Sequence, residues 1–423
     1  MSFSEVCVIA AALIGYGLVS RRIAHWPVSM PMVFVALGSL AEVSGLVVLA
    51  AETAQVAVLA EITLAVILFG DAVRINVRSL GHDLALPGRL LLAGLPLTIA
   101  LTTLLVAVVL PGLSWAEAAL VAAVLAPTDA ALGKAVIDDE SVPRRIRRSL
   151  NVESGLNDGL VLPAVLIFVA LATGEQTTAG FWASFVVRQV ILGAVLGVAV
   201  GGAGAWLLAR AQQRAWVEGI YAQLATLALA LLAFAGAQAA GANGFIAAFG
   251  AGLAFGAVGT GTDHLVEYTE DSGQLLAVVA FFVFGNVFVN DALGSLSVGV
   301  VTVAVLVLTA GRMVPVALVM TGTGAAAATK AFVGWFGPRG LASIAFGLLL
   351  LEEALPGGEQ LFAIIALTVV ASVVLHGASA AAGAQAYGRW WAAVPGSEQE
   401  VMPESLPVPP GRSRWSGPSR ERR

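Results

Sequence analysis

The sequence predicts an all-α, polytopic membrane protein with about thirteen transmembrane helices. Hydrophobic residues make up 58% of the 423 residues and charged residues only 12%, whereas soluble domains carry about 25% charged residues. The mean hydropathy is +0.90. The 47 glycines are typical of transmembrane helices that pack closely through small residues. This composition excludes a soluble enzyme, a disordered scaffold and, with a net charge of −5, a nucleic-acid-binding protein.

Apolar runs define the predicted spans, because a helix needs about 20 apolar residues to cross a bilayer. The thirteen runs lie at 3–20, 28–45, 54–73, 88–110, 116–136, 147–172, 181–209, 218–236, 242–258, 272–290, 296–320, 328–350 and 359–386. The first run is not expected to be a cleavable signal peptide, because no basic residues open it and no small-residue cleavage site precedes Arg21.

The placement of lysine and arginine predicts the orientation, because these residues collect in cytoplasmic loops. They follow spans 1, 3, 5 and 7 and lie near the start of span 12. The loops of the opposite side contain no lysine or arginine; they are 45–54, 110–116, 173–181, 236–242, 290–296 and 351–359. One loop of the predicted cytoplasmic side, 258–271, also lacks them and is acidic, but acidic residues contribute little to orientation. This pattern predicts a plasma (inner) membrane protein with its N-terminus outside and its C-terminus in the cytoplasm.

The composition changes near the C-terminal end of the sequence. Residues 392–423 are rich in proline, serine and arginine, which predicts a disordered cytoplasmic tail. The transmembrane domain is therefore expected to cover residues 1–391.

Two predicted spans carry helix-breaking polar segments in their apolar interiors. Span 5 contains Pro127, Thr128 and Asp129, and span 12 contains Pro338 and Arg339. Proline removes a helical hydrogen bond, and a broken helix survives in a membrane only where it is buried or lines a cavity. Spans 5 and 12 run in opposite directions. Two broken, crossing helices in opposed three-helix units predict inverted repeats and a secondary transporter.

Span 6 carries polar residues at helical spacing. Ser154 and Asp158 lie four residues apart on one face, where they can present hard oxygen ligands to a small cation. Asn157 has both donor and acceptor groups. It is expected to belong to the cation/proton-binding site, where it either holds Asp129 or caps the backbone of a broken helix.

Four stretches carry a resemblance to a known family, and a fifth matches more loosely. They are APTD at 126–129, ESGLND at 153–158, FGPRG at 336–340 and VLHG at 374–377, with LFGDAVRI at 68–75 as the looser match. In this order the chain resembles, over about residues 1–390, the monovalent cation:proton antiporters of the NhaP/NHE type. The resemblance implies a homodimer in which a core domain of spans 4–6 and 11–13 moves against a dimerisation scaffold of spans 1–3 and 7–10.

The resemblance also implies roles for individual residues. Asp158 resembles the carboxylate that binds the cation or the proton, and Asp129 resembles a second acid of the site. Thr128 resembles the residue that offers its main-chain carbonyl to the monovalent cation. Ser154 resembles the residue that offers its hydroxyl.

Glu153 and Arg339 are predicted to form a structural ion pair. Glu153 lies on the face of span 6 that points to the scaffold, and no acid in span 12 can serve Arg339. Breaking a buried pair costs about 3–5 kcal/mol, so the two charges are expected together. The resemblance implies the same pair.

Two further acids in span 3 are possible members of the ion path. The family often has an acid directly after Leu-Phe, whereas this chain has Gly70 there and Asp71 one position later. Glu61 lies earlier in the same span and could face either the ion path or the dimer cavity.

His376 in span 13 has two open interpretations. It could sense pH, because histidine titrates near neutrality, or it could be hydrogen-bonded inside the bundle. It is also the sole intramembrane base candidate for a hydrolase, and no nucleophile elbow accompanies it. The sequence therefore predicts a transporter rather than an enzyme, and no cofactor.

The predicted function is a secondary antiporter in the lipid bilayer that exchanges H⁺ for Na⁺ (or Li⁺) and serves pH homeostasis. Asn157-Asp158 stands where related electrogenic antiporters carry two aspartates, so the resemblance implies electroneutral exchange. The alternatives are a K⁺/H⁺ antiporter, because the same oxygen ligands serve both cations, and an ion channel, which would favour filter loops or rings of charge from an oligomer.

Overall fold

The described residues of the computed structural model form helices joined by turns and short segments. They are residues 3–23, 26–49, 53–75, 85–129, 132–174, 180, 184, 187–258, 263–352, 355, 357–399, 402 and 404. No β-strand occurs within these ranges, so the all-α fold class is confirmed.

The first part of the chain contains helices α1 to α7. They are α1 (Phe3–Ile23), α2 (Met30–Val43), α3 (Thr53–Arg74), α4 (Ala85–Val109), α5 (Trp115–Val124), α6 (Lys134–Ile137) and α7 (Arg144–Ala172). Helices α2 and α5 begin where the sequence supplies a cap. The Ser29 and Ser114 side chains each accept a backbone N–H of the first turn, which satisfies a donor that has no helical partner.

The second part contains helices α8 to α18. They are α8 (Val187–Gln213), α9 (Gly219–Ala239), α10 (Gly244–Val258), α11 (Asp263–Val287), α12 (Val289–Gly294), α13 (Val298–Leu308), α14 (Ala310–Val319), α15 (Ala327–Trp335), α16 (Leu341–Glu352), α17 (Gly358–Ala393) and α18 (Gly396–Gln399). Thr309 separates α13 from α14, and Pro315 removes a further backbone donor within α14.

Eight stretches of described helix are long and apolar enough to cross a membrane. They are α1, α3, α4, α7, α8, α9, the combined stretch of α13 and α14, and α17. Helices α2, α5, α10 and α16 are apolar but shorter. The chain is therefore a multi-pass membrane protein, while the number thirteen, the crossing of the broken helices and the orientation stay predictions.

The contacts divide the chain into two compact units. Of the described residues, unit 1 comprises those within Met1–Leu64, Ala85–Ala179 and Leu275–Pro407, and unit 2 comprises those within Ala65–Leu84 and Gly180–Gln274. The division into a core of spans 4–6 and 11–13 that moves against a scaffold of spans 1–3 and 7–10 is a separate prediction and stays one.

Unit 2 contains a close approach of α8 to α10. Gly197 and Gly201 lie one turn apart on α8, and a Cβ atom at either position would collide with the α10 backbone at Ala247 or Ala251. Glycine at these positions therefore lets the two helices touch through their backbones, as small residues do in membrane proteins.

Unit 1 contains an aromatic core beside the functional segments. The Phe332 ring of α15 stacks on Tyr387 of α17 with 4.2 Å between centroids, and it lies 4.8 Å from the Phe336 ring. Ile146 and Leu150 of α7 belong to the same buried cluster. This buried cluster therefore includes side chains of α7, α15 and α17.

Most of the predicted tail, including everything from residue 405 onward, lies outside the described residues. Its described part contains α18 and Glu404. Glu404 is buried, and its Oε1 atom accepts the Thr329 hydroxyl at 2.6 Å and the Ala326 N–H at 3.1 Å. This part of the tail therefore packs on the start of α15.

Candidate functional site

The first helix break lies inside predicted span 5. Helix α5 ends at Val124, residues 126–129 are not helical, and α6 begins at Lys134. Pro127 contributes to the break because it has no N–H to continue the helical ladder. The break places Thr128 and Asp129 between two helix ends.

The second break lies inside predicted span 12 and binds the first. Helix α15 ends at Trp335 and α16 begins at Leu341. The Asp129 N–H donates to the Pro338 carbonyl at 2.8 Å, and the Asp129 Oδ2 atom accepts the Leu341 N–H at 2.9 Å. A carboxylate at a helix N-terminus is stabilised by the helix dipole, so Asp129 caps α16.

Close approach at this cap requires a glycine. A Cβ atom on Gly340 would overlap the carboxylate group of Asp129. The glycine of the FGPRG stretch therefore leaves the space that Asp129 fills.

Arg339 makes the reciprocal contact. Its side chain is fully buried, and its Nη1 atom donates to the carbonyls of Ala126 and, at 2.9 Å, of Pro127. These carbonyls follow the C-terminal end of α5, where a cation is favourable. Asp129 lies in the first break and caps α16, which follows the second break. Arg339 lies in the second break and binds the carbonyls after α5, which precedes the first break.

A buried hydroxyl cluster joins the first break to α7. The Thr128 Oγ1 atom lies 2.9 Å from the Ser154 Oγ atom and accepts the Asn157 amide N–H at 2.7 Å. Asn157 therefore binds Thr128, rather than Asp129 or a bare helix end as the sequence suggested. Asp158 is also buried and lies one turn after Ser154 on α7. The Ser154 hydroxyl and the Asn157 amide of α7 thus lie at the break. Hydroxyl and carboxylate oxygens, the kinds that Ser154 and Asp158 carry, are hard ligands.

The predicted pairing of Glu153 with Arg339 is corrected, because the structure gives Glu153 another partner. Arg312 of α14 binds both carboxylate oxygens, with Nη1–Oε1 at 2.5 Å and Nη2–Oε2 at 2.8 Å. The Arg339 guanidinium is directed instead to the carbonyls at the end of α5. Glu153 and Arg312 form a bidentate pair, the strong geometry for a buried arginine and carboxylate.

Sequence reasoning missed Arg312 as a partner, although a signal was present. Arg312 interrupts an apolar run, and an arginine in a membrane span costs on the order of 2.5–3.5 kcal/mol unless it is compensated. This cost indicates a buried acid nearby. The Ser372 hydroxyl, which accepts the Arg339 backbone N–H at 2.6 Å, was also missed, and a serine carries no comparable signal.

A narrow cleft is lined by residues of the two helix breaks and of α7. Asp129 and Ser154 supply its polar lining, and Ile137, Leu150 and Phe336 are among its apolar lining residues. Its polar end therefore coincides with the helix breaks.

The two possible acids of span 3 lie in different units. Glu61 is half-buried on α3 in unit 1, and Asp71 is half-buried further along α3 in unit 2. The hydrogen bonds that join the first break to α7 run through Thr128, Ser154 and Asn157. A role for Glu61 or Asp71 in the ion path stays a prediction.

Comparisons with known proteins find similarity to cation/proton antiporters. A family model described as "Sodium/hydrogen exchanger, transmembrane" matches residues 8–383. The chain is 25% identical over 349 residues to the K(+)/H(+) antiporter NhaP2 of Shewanella oneidensis, covering 82% of this chain and 58% of that protein. It is 25% identical over 352 residues to the K(+)/H(+) antiporter NhaP of Alkalimonas amylolytica, covering 82% and 60%. The chain thus spans less than two thirds of the length of these relatives.

The fold also matches a solved structure. The sodium proton antiporter MjNhaP1 of Methanocaldococcus jannaschii superposes with a TM-score of 0.75 at 17% identity, covering 91% of this chain and 100% of that chain. At this identity the likeness concerns the fold. The family match, which covers most of the sequence, goes further: the chain belongs to the family of transmembrane sodium/hydrogen exchangers.

Proposed function

We propose that this chain is a secondary antiporter that exchanges H⁺ for Na⁺ (or Li⁺) at one buried carboxylate, Asp158. The observation that carries the proposal is the buried link between the first helix break and α7, in which Thr128 binds Ser154 and Asn157. This link joins an unwound backbone, two hydroxyls and the helix turn of Asp158. Unwound segments of this kind are where secondary transporters bind their ions.

Competition at Asp158 is the proposed mechanism. The carboxylate holds either a proton or a monovalent cation, and each neutralises its charge. A neutral site can cross the apolar barrier of the membrane, whereas an ionised site is expensive there. The loaded protein therefore alternates its access between the two sides, and the empty protein does not, which gives exchange without ATP.

Asp129 and its neighbours have supporting roles in this proposal. Asp129 holds the second break through its contacts with Pro338 and Leu341, and it contributes a second acid beside the cation. Thr128 offers its main-chain carbonyl and Ser154 its hydroxyl. Glu153 serves the structure through its pair with Arg312.

A K⁺/H⁺ antiporter is the second candidate. Two relatives of this chain carry the name K(+)/H(+) antiporter, and oxygen ligands serve Na⁺ and K⁺ alike. An ion channel is the candidate from another class. We further propose a homodimer in the plasma (inner) membrane, with the N-terminus outside, the C-terminus in the cytoplasm and no bound cofactor.

An exchange assay in proteoliposomes tests the proposal. A pH-sensitive dye inside the vesicles reports proton movement when NaCl, LiCl, KCl or choline chloride is added outside, over mildly acidic to mildly alkaline pH. Na⁺ or Li⁺ is expected to drive proton exchange, and choline is not. Exchange with K⁺ alone would favour the second candidate, and unitary currents in planar bilayers would argue for a channel. If Na⁺, Li⁺ and K⁺ all fail to drive proton movement, the antiporter proposal is refuted.

A further inference from the structure

We infer that Ser372, oriented by His376, is a positioning residue that sets the cation affinity of the site by fixing the second helix break. The inference rests on the proposed function. Both residues are buried on α17, with 0% and 1% of their surface exposed. They lie four residues apart and therefore share one face of the helix.

The Ser372 hydroxyl controls the backbone that holds Asp129. Its Oγ atom accepts the Arg339 backbone N–H at 2.6 Å. Arg339 follows Pro338, whose carbonyl accepts the Asp129 N–H, and it lies two residues before Leu341, whose N–H binds the Asp129 carboxylate. A shift of the Arg339 backbone therefore moves both groups that position Asp129.

His376 orients this hydroxyl. The His376 Nδ1 atom lies 3.1 Å from the Ser372 Oγ atom and 3.1 Å from the Ser372 carbonyl oxygen. A serine hydroxyl has one proton and two lone pairs. If Nδ1 carries no proton, it accepts the serine proton; if Nδ1 is protonated, it can donate to Oγ or to the Ser372 carbonyl. In each tautomer the Oγ atom keeps a lone pair for the Arg339 N–H.

The same face of α17 also holds the other end of the break. The indole ring of Trp335, the last residue of α15, lies 5.0 Å from the His376 ring, and its Nε1 atom donates to the Ser379 hydroxyl at 3.0 Å. Ser372, His376 and Ser379, at spacings of four and three residues, thus contact both ends of the break. Helix α17 keeps these ends at a fixed separation.

Removal of the Ser372 hydroxyl should weaken cation binding while leaving the carboxylates in place. In Ser372→Ala the Arg339 N–H is buried without this acceptor, which is costly enough to displace the segment. We expect the KM for the transported cation to rise about tenfold, with the maximal rate largely kept. Ser372→Thr keeps the hydroxyl and should restore the KM. His376→Leu should raise the KM in the same direction as Ser372→Ala.

The test measures the KM and maximal rate in proteoliposomes, together with the concentration of NaCl or KCl that raises the apparent melting temperature of the purified protein. Binding to the native state raises this temperature, so the second readout does not depend on transport. Thr368→Val is the matched control. Thr368 is equally buried on α17, and its hydroxyl donates to the carbonyl of Ile364 within the same helix, so this variant should keep wild-type affinity.

The possible outcomes separate the inference from the proposed function. A raised KM and a raised cation requirement in Ser372→Ala, both restored in Ser372→Thr, support the inference. A lower melting temperature with unchanged cation affinity would assign Ser372 a purely structural role and overturn it. If Ser372→Ala does not fold, Ser372→Cys replaces it, because sulfur is a weak hydrogen-bond acceptor. Equal cation affinity of the Cys and Thr variants would then overturn the inference. A wild type that exchanges no cation refutes the proposed function, while the melting readout still tests Ser372.

Discussion

The buried pair of Glu153 and Arg312 offers a quantitative test of how unit 1 is stabilised. Each side chain is only 3% exposed, and both carboxylate oxygens bind the guanidinium. Arg312→Met keeps much of the apolar stem and leaves the Glu153 carboxylate buried without its cation. Breaking such a pair costs about 3–5 kcal/mol, so we expect a marked fall in apparent melting temperature and in the yield of folded protein.

A double-mutant cycle isolates the pair from other effects of the substitution. Glu153→Gln removes the stranded charge, so Arg312→Met combined with Glu153→Gln should be more stable than Arg312→Met alone. Arg339→Met with Glu153→Gln is the matched control, and it should show no rescue because Arg339 donates to the carbonyls of Ala126 and Pro127. Rescue of the Arg339 variant, with none for the Arg312 variant, would refute the pairing.

Three further predictions concern the site itself. Asp158→Asn should fold with a wild-type melting temperature and lose all dye-detected exchange. Asp158→Glu moves the carboxylate oxygens and should keep weak exchange, slower on the order of 10²-fold. Robust transport by the Asn variant would show that the coupling site is another residue. In the wild type, acid should raise the KM for the cation with little change in maximal rate, and inhibition that excess cation does not relieve would indicate a separate pH sensor. Gly340→Ala places a methyl group against the Asp129 carboxylate and should impair exchange in vesicles. The control Gly202→Ala on α8, where the added methyl group meets open space, should not impair exchange. Equal activity of both variants would contradict the role of Asp129 as the cap of α16.

The sequence predicted the elements of the site better than their partners. Pro127 and Pro338 mark non-helical segments because proline cannot continue a helical ladder wherever it lies in the fold. The partner of Glu153 could not be derived in this way, because a helical wheel gives the face of α7 but not which neighbouring helix covers that face. Arg312 and Arg339 both lie in apolar stretches of sequence, so either could have been the partner of Glu153. The packing of α14 places Arg312 against Glu153. Ser372 had no sequence signal, because an uncharged hydroxyl can be satisfied by its own helix.

The charge balance around the two breaks connects the architecture to the stoichiometry of exchange. The acids concerned are Asp129, Glu153 and Asp158, and the bases are Arg312 and Arg339. When all are ionised, the group carries one net negative charge, because arginine stays protonated in proteins. One proton or one monovalent cation brings the net charge of this group to zero, whereas a divalent cation would leave it positive. An uncompensated charge at membrane depth costs on the order of 2.5–3.5 kcal/mol, so the neutral, singly loaded forms are the ones expected to cross. One proton should therefore exchange for one cation, and the initial rate in vesicles should stay the same when valinomycin and K⁺ clamp the membrane potential at different values with Na⁺ as the transported ion. A rate that follows the clamped potential would show that net charge crosses the membrane in each cycle and would contradict this balance.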